Sequence, residues 1–255
     1  MTAGLLPGDV APPASAWRIG IVVPYDFALD RELWRWVPDS VDLLITRTPF
    51  EALPVSVEQA VAIGDTAVVA EATRALITPS PAVVGYACTA GSFVGGPGGE
   101  RALVAAMIAA GASAAITTSG AVVQALGALG VERVAVATPY DDAVTGLLTA
   151  FLQEWDIEVT AAHNLGLHGG IWTVPYETTL DLVRRTWTQD CDAVFVSCTN
   201  LATYDAIAPL EAELGVPVVS ANQATMWAAL ATVGLEANES NQRLITQVPV
   251  GGVQQ

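Results

Sequence analysis

The sequence predicts an α/β fold of two similar Rossmann-like halves with parallel sheets, related by pseudo-two-fold symmetry, with the active site in the cleft between them. The first observation is that short apolar, β-branched runs alternate with helical segments along the 255 residues. The second is that these runs lack polar alternation, as strands do when helices cover both faces of a parallel sheet. The third is that several motifs occur twice in the same order, which indicates an internal duplication.

The predicted strands are short β-branched runs bounded on both sides by turn residues. They cover residues 18–23, 41–46, 82–87 and 113–117, then 133–138, 157–161, 192–197 and 216–220. The segments between them are predicted as helices, over 55–77, 99–110, 119–129, 141–154, 176–188, 202–213 and 222–233. The uncharged stretch from Ala102 to Val131 is interpreted as a buried helix and strand, because Gly111 and Thr117–Gly120 interrupt it. We therefore expect no membrane span.

The duplication rests on three pairs of segments. Pro-Tyr-Asp and Cys-Thr recur unchanged, which argues against the alternative that all strands ending in a turn look alike. We expect a flexible tail at 1–16, an N-terminal half at 17–132, a C-terminal half at 133–240 and a C-terminal tail at 241–255. The paired segments are Arg18–Asp26 with Arg133–Asp141, Ala82–Thr89 with Ala193–Thr199 and, more weakly, Ser119–Leu126 with Asn222–Ala229.

Composition excludes several classes of function. Against 10 basic residues there are 26 acidic ones, and the net charge of −16 argues against nucleic acid or a membrane surface as partner. Every basic residue is Arg, so Schiff-base, pyridoxal phosphate and P-loop chemistry have no lysine to use. With only two His and no Gly-rich nucleotide fingerprint, we expect neither a metal nor an organic cofactor. Three cysteines without a secretory signal indicate reduced thiols and a cytoplasmic protein.

Two of the cysteines, Cys88 and Cys198, follow predicted strands and precede predicted helices in both halves. Free backbone N–H groups at such a position favour the thiolate and form an anion site for a carboxylate. We therefore predict that both thiols are catalytic and act on opposite faces of one substrate. Cys191 has no counterpart in the repeat and is interpreted as a small buried apolar residue. Neighbouring residues predicted to bind the substrate are Thr89, Ala90, Thr199 and Asn200.

Three further residues are candidates for substrate binding. Tyr140 and its counterpart Tyr25 follow a proline at a strand end, where a hydroxyl could hold a carboxylate. The alternative for each is a core aromatic residue. Asn222 begins a predicted helix, so it is either an N-cap or a substrate contact.

These motifs are similar to those of the aspartate/glutamate racemase superfamily, and within it to the maleate cis-trans isomerases and arylmalonate decarboxylases. The resemblance implies a cofactor-independent enzyme with paired catalytic thiols that forms a homo-oligomer. Arylmalonate decarboxylases keep only the second cysteine, so Cys88 indicates the isomerase branch. There the resemblance implies that Cys88 adds to a double bond, Cys198 is the opposite acid or base, and Tyr140 binds a carboxylate. The segments that carry it are Tyr86–Ser92, Ala137–Tyr140, Val196–Leu201 and Val219–Ala224.

The loop Pro24–Leu29 departs from the isomerases, which usually carry an Asn there, and a second Asn expected near Gly169 is missing. A substrate larger or less charged than maleate is therefore expected. The leading prediction is a cofactor-independent isomerase or racemase of a small carboxylic acid. The alternatives are a decarboxylase of a substituted malonate that uses Cys198 as proton donor, and a non-catalytic protein that binds an organic acid.

Overall fold

The computed structural model describes residues 17–248. Each half has four parallel strands joined by helices. In the first half these are β1 Trp17–Val23, α1 Asp30–Trp34, β2 Val41–Arg47, α2 Val57–Ile63, α3 Thr66–Arg74, β3 Val83–Tyr86, α4 Thr89–Phe93, α5 Gly96–Ala109, β4 Ala115–Thr117 and α6 Thr118–Ala128. In the second they are β5 Arg133–Thr138, α7 Asp142–Gln153, β6 Glu158–Asn164, the 3-10 helix Ile171–Thr173, α8 Tyr176–Thr186, β7 Ala193–Val196, α9 Tyr204–Leu214, β8 Val218–Ser220, α10 Ala221–Thr232 and α11 Arg243–Gln247.

The two sheets have the same topology. The strand order is β2-β1-β3-β4 in the first sheet and β6-β5-β7-β8 in the second, with every pairing parallel. The central strands β1, β3, β5 and β7 are buried along almost their whole length, which explains why their sequences show no polar alternation. The predicted two-sheet α/β fold is confirmed.

The predicted helix 55–77 is divided into α2 and α3. Gly64 ends α2, and the Asp65 carboxylate then caps α3 by accepting the backbone N–H of Ala67 at 2.8 Å. A Cβ atom at Gly64 would overlap the backbone carbonyl oxygen of Gly91, so only glycine allows α2 to approach α4 this closely. The break therefore serves the packing of two helices, which local helical periodicity does not reveal.

The chain from 241 to 248 is folded, in contrast to the C-terminal tail predicted from 241. Leu244 of α11 is fully buried. The Gln242 side chain accepts hydrogen bonds from Trp36 Nε1 at 2.8 Å and from Gln223 Nε2 at 2.9 Å, and so links both halves. The remaining residues of the two predicted tails, 1–16 and 249–255, lie outside the described part of the chain.

The halves pack against each other through α6 and α10, and one hydrophobic core continues from one half into the other. The hydroxyls of Thr118 and Thr225 form a hydrogen bond of 2.8 Å across this helix pair. The Glu32 carboxylate of the first half accepts the Thr203 hydroxyl of the second at 2.7 Å. Between residues 17 and 248, no helix is long and apolar enough to cross a membrane.

Candidate active site

A narrow cavity of about 40 Å³ lies where the carboxyl ends of the central strands of both sheets meet. Both predicted catalytic thiols line it. The lining residues are Pro24, Asp26, Phe27, Val55, Ser56, Gln59, Ile63, Cys88, Thr89, Ala90, Tyr140, Val144, Ile171, Cys198, Thr199 and Asn200.

Cys88 follows β3 and caps the short helix α4. The backbone N–H of Gly91 donates to Cys88 Sγ at 3.3 Å. A Cβ atom at Gly91 would overlap the Tyr86 hydroxyl and lie 3.2 Å from Cys88 Sγ. Tyr86 is itself held by a hydrogen bond from its hydroxyl to the carbonyl oxygen of Ile63 at 2.7 Å. The glycine after Cys88 therefore allows the thiol, its N–H donor and the tyrosine to share one small space.

Cys198 follows β7 with a φ of 90°, in the left-handed region that residues other than glycine rarely adopt. The backbone N–H of Asn200 donates to Cys198 Sγ at 3.3 Å. The next residue, Thr199, donates its hydroxyl to the carbonyl oxygen of Ala87 in the other half at 3.2 Å. Strained backbone of this kind persists where its surroundings fix it, and it concentrates at functional sites.

Burial controls the charge of both thiols. It raises the pKa of Cys88 to about 11 and that of Cys198 to about 12, although the backbone N–H donors act in the opposite direction. The expectation that the strand-end position favours thiolates is therefore not met in this structure, because desolvation outweighs the N–H groups. Both side chains are protonated near neutral pH.

Asp26 is a cavity residue that sequence reasoning missed. Its negative charge raises the pKa of both Cys88 and Cys198. Burial raises the pKa of Asp26 itself, and the Arg47 guanidinium partly offsets this. The available signal was the repeated Pro-Tyr-Asp motif. Its counterpart Asp141 has a different use, because it caps α7 by accepting the backbone N–H of Val144 at 2.9 Å.

Two hydroxyls in the cavity suit a carboxylate. Thr89 is buried, and its hydroxyl makes no hydrogen bond within the described part of the chain. Tyr140 is also buried and accepts a hydrogen bond from the Ser197 hydroxyl at 3.4 Å. Burial raises the pKa of Tyr140 well above 10, so it stays a neutral donor. Ala90 lines the cavity beside Thr89, as predicted.

The other predicted binding residues have structural partners. Thr199 and Asn200 line the cavity, but the Thr199 hydroxyl donates its hydrogen bond to the carbonyl oxygen of Ala87. The Asn200 amide donates to the carbonyl oxygen of Asp26 at 3.0 Å and accepts the N–H of Ala28 at 2.9 Å. Asn200 therefore fixes the loop that carries Asp26.

Tyr25 and Asn222 are not among the residues that line the cavity, so this structure does not bring these two predicted binding residues into it. The Tyr25 hydroxyl accepts a hydrogen bond from Gln59 Nε2 at 2.8 Å. Asn222 is not the N-cap of α10 either, since Ser220 is. It donates instead to the carbonyl oxygen of Thr199 at 2.9 Å, one residue from the Cys198 thiol.

The remaining wall is apolar apart from Ser56 and Gln59, and loops of both halves close it. The backbone N–H of Val55 donates to the carbonyl oxygen of His168 at 2.9 Å across the cleft. Cys191 is buried away from the cavity, in agreement with its predicted role in packing. Within 17–248, no group of three or more His, Cys, Asp or Glu side chains could hold a metal ion. The apolar lining side chains are Phe27, Val55, Ile63, Val144 and Ile171.

Comparisons with known proteins identify two kinds of relative. The chain is 36% identical over 228 residues to an arylmalonate decarboxylase of Bordetella bronchiseptica, which covers 87% of this chain and 92% of that protein. It is 30% identical to a maleate isomerase of Nocardia farcinica, over 61% of this chain and 65% of that one. The similarity to this decarboxylase is therefore greater and longer, and the expectation that Cys88 indicates the isomerase branch is not confirmed.

Solved structures of both kinds share the fold. A liganded variant of arylmalonate decarboxylase superposes with a TM-score of 0.84 at 34% identity and covers 91% of this chain and 99% of its own. A maleate isomerase from Pseudomonas putida S16 superposes with a TM-score of 0.82 at 25% identity, with the same coverage of both chains. A sequence model of arylmalonate decarboxylases matches residues 36–245. With this match and the long similarity to a decarboxylase, the chain belongs to the arylmalonate decarboxylase family.

Proposed function

We propose that the protein is a cofactor-independent isomerase of the racemase type, which moves a proton at carbon α of a small carboxylic acid with an apolar substituent. The observation that carries the proposal is that two thiols, Cys88 and Cys198, line one cavity together with the hydroxyl-bearing side chains of Thr89 and Tyr140. A racemase needs a proton acceptor and a proton donor on opposite faces of a planar intermediate, and a pair of thiols supplies both.

The carboxylate binds at the Thr89 and Tyr140 hydroxyls. Phe27, Val55 and Ile171 surround the apolar substituent. We assign Cys88 as the base of the forward direction and Cys198 as the acid, although either thiol can take either role. In the forward direction the Cys88 thiolate removes the proton from carbon α, and the C–H electron pair moves into the carboxylate to give an enediolate.

The Cys198 thiol then donates its proton to the opposite face of carbon α. This step leaves Cys88 as thiol and Cys198 as thiolate, so the reverse reaction uses the same groups in exchanged roles. The hydroxyls of Thr89 and Tyr140 stabilise the negative charge that builds up on the carboxylate oxygens, as donors do in an oxyanion hole.

A cis-trans isomerase of maleate is a weaker candidate for this cavity. Maleate carries two carboxylates, and a buried charge needs a partner for each. The described residues that line the cavity include no basic side chain. The hydroxyls of Thr89 and Tyr140 provide for one carboxylate, and no cation among the described lining residues is available for the second.

Decarboxylation of a substituted malonate is the second candidate. The 36% identity to an arylmalonate decarboxylase favours it. The high pKa of Cys198, about 12, also suits a thiol that only donates a proton to the enediolate left after loss of carbon dioxide. In that reaction Cys88 has no required role.

Incubation in deuterated water tests the proposal. Single enantiomers of 2-phenylpropionate are expected to exchange the α-proton and lose optical purity, as followed by proton NMR and chiral chromatography. Conversion of phenylmalonate to phenylacetate without exchange of 2-phenylpropionate would replace the proposal with the decarboxylase. Binding of these acids without any turnover would indicate a protein that only captures an organic acid.

A further inference from the structure

The cavity contains one acidic side chain, and the proposed reaction does not use it. Asp26 lies in the loop after β1 and lines the cavity with both thiols. The Asn200 amide bonds to the backbone on both sides of it, through the carbonyl oxygen of Asp26 and the N–H of Ala28. The backbone that carries Asp26 is therefore held at the wall of the cavity by a contact from the opposite half.

We propose that Asp26 is a specificity-determining residue, whose carboxylate excludes substrates with a second carboxylate on carbon α and so restricts the site to monocarboxylic acids. This inference rests on the proposed function for its substrate class. It goes further by assigning to one side chain the choice between a racemase substrate and a malonate.

Charge supports the assignment. Within the cavity, none of the described lining residues is basic, so a second carboxylate would meet Asp26 without a cation between them. The Arg47 guanidinium does act on Asp26, but it also donates to the carbonyl oxygen of Phe27 and contacts Asp30. Like charges placed together without a partner disfavour binding strongly, so Asp26 is able to decide which acid binds.

The pKa values of both thiols respond to the charge of Asp26. It raises the pKa of Cys88 and of Cys198, which lie in different halves. The other titratable groups near these thiols are the hydroxyls of Tyr86 and Tyr140, whose pKa values burial raises well above 10. Asp26 is therefore the carboxyl side chain that a substrate bound between the thiols faces.

The test compares two acids that differ at one substituent of carbon α, 2-phenylpropionate with a methyl group and phenylmalonate with a carboxylate. Each is added to the full protein at increasing concentration, and protection of Cys88 and Cys198 from iodoacetamide is followed by mass spectrometry. We expect 2-phenylpropionate to protect the wild-type thiols at lower concentration than phenylmalonate does.

The variant Asp26→Asn keeps the size of the side chain and removes the charge. It is expected to lower the phenylmalonate concentration for half protection by about tenfold or more, with a smaller change for 2-phenylpropionate. It should also lower the pH at which both thiols react with iodoacetamide. Asp30→Asn is the matched control, because Asp30 begins α1 directly after the same loop and contacts Arg47 but does not line the cavity.

An unchanged ratio between the two acids in Asp26→Asn would overturn the inference. So would a failure of 2-phenylpropionate to protect the wild-type thiols, or of phenylmalonate to protect those of Asp26→Asn. An equal shift in Asp30→Asn would do so as well, since it would assign the effect to net charge alone. If the ratio shifts as expected but no acid undergoes exchange in deuterated water, the inference stands and the proposed racemase reaction falls.

Discussion

The two cysteines occupy corresponding positions after β3 and β7, but their backbones differ. Cys88 has a φ of −143°, an ordinary extended conformation, and serves as the N-cap of α4. Cys198 has a φ of 90°, and its neighbours Thr199 and Asn200 are both bonded to the other half. The duplicated motif thus supplies two thiols that the fold holds in different ways, as expected for two groups with different roles in one step.

Replacement of either thiol should remove most of the activity. Cys88→Ser and Cys198→Ser are each expected to lower turnover of 2-phenylpropionate more than about a hundredfold, because a serine hydroxyl is a far poorer acid and nucleophile. Initial rates of isotope exchange measure the effect. Cys191→Ser is the control and should change turnover little, since Cys191 does not line the cavity. Full activity in Cys88→Ser would leave the decarboxylase as the better candidate.

The raised thiol pKa values give a pH dependence with a definite sign. Below a pKa of about 11 most Cys88 is protonated, so the fraction of thiolate increases with pH. We expect kcat/KM for exchange to increase close to tenfold per unit from about pH 7 to about pH 10. Cys198, with a pKa of about 12, keeps its proton across this range. A flat profile would mean that no thiolate is needed, as in decarboxylation with Cys198 as donor.

Among the elements, the contact of α2 with α4 connects packing to the site. Gly64 at the end of α2 lies against the backbone of Gly91, and Gly91 donates to the Cys88 thiol. Movement of α2 therefore displaces the N–H donor of the Cys88 thiol. The consequence is that Gly64, which does not itself line the cavity, influences the position of one thiol.

Gly64→Ala tests this contact. The added methyl group should push α4 outward, with a cost in unfolding free energy of about 1–3 kcal/mol and a loss of turnover. Thermal unfolding and exchange rates measure the two effects. Gly98→Ala in α5 is the control, because nothing lies within 4 Å of a Cβ atom there. Equal stability of the two variants would show that the α2–α4 contact tolerates extra volume.

At the scale of the whole molecule, the sequence predicted the parts of the site that depend on strand ends. The carboxyl ends of β1, β3, β5 and β7 meet at one cavity, so Cys88, Cys198 and Tyr140 could be located from motifs that follow short apolar runs. The duplication predicted the pairing of the two halves, because identical strand orders build identical edges.

Side-chain direction beyond a strand end could not be predicted. Tyr25 and Asp26 are adjacent, yet only Asp26 lines the cavity, because Gln59 from α2 binds the Tyr25 hydroxyl. The Asn222 amide donates hydrogen bonds to the carbonyl oxygen of Thr199 and to the Glu32 carboxylate of the other half. Such partners are distant in sequence, so composition and spacing contain no record of them. The same holds for Gln242, whose contacts with Trp36 and Gln223 fold a segment that reads as a polar tail.

The net charge of −16 gives a prediction for the whole protein. A carboxylate substrate is repelled at long range, and salt screens this repulsion. We therefore expect KM for 2-phenylpropionate to decrease a few-fold, with kcat unchanged, when ionic strength increases from about 0.01 M to about 0.15 M. Alkylation of the thiols by iodoacetamide, a neutral reagent, is the control and should not respond. An increase in KM with salt would mean that local attraction at the cavity mouth dominates.

The positive φ of Cys198 has a consequence for how this protein can change over generations. Glycine adopts that conformation without a steric penalty, so Cys198→Gly would relieve backbone strain of about 1–3 kcal/mol while it removes the thiol. Cys88→Gly relieves nothing, because its backbone is unstrained. A library selected only for heat resistance should thus enrich glycine at 198 and not at 88. At position 198, stability and the proposed activity therefore favour different residues. In a gene copy that is no longer selected for activity, we expect Cys198 to be replaced before Cys88.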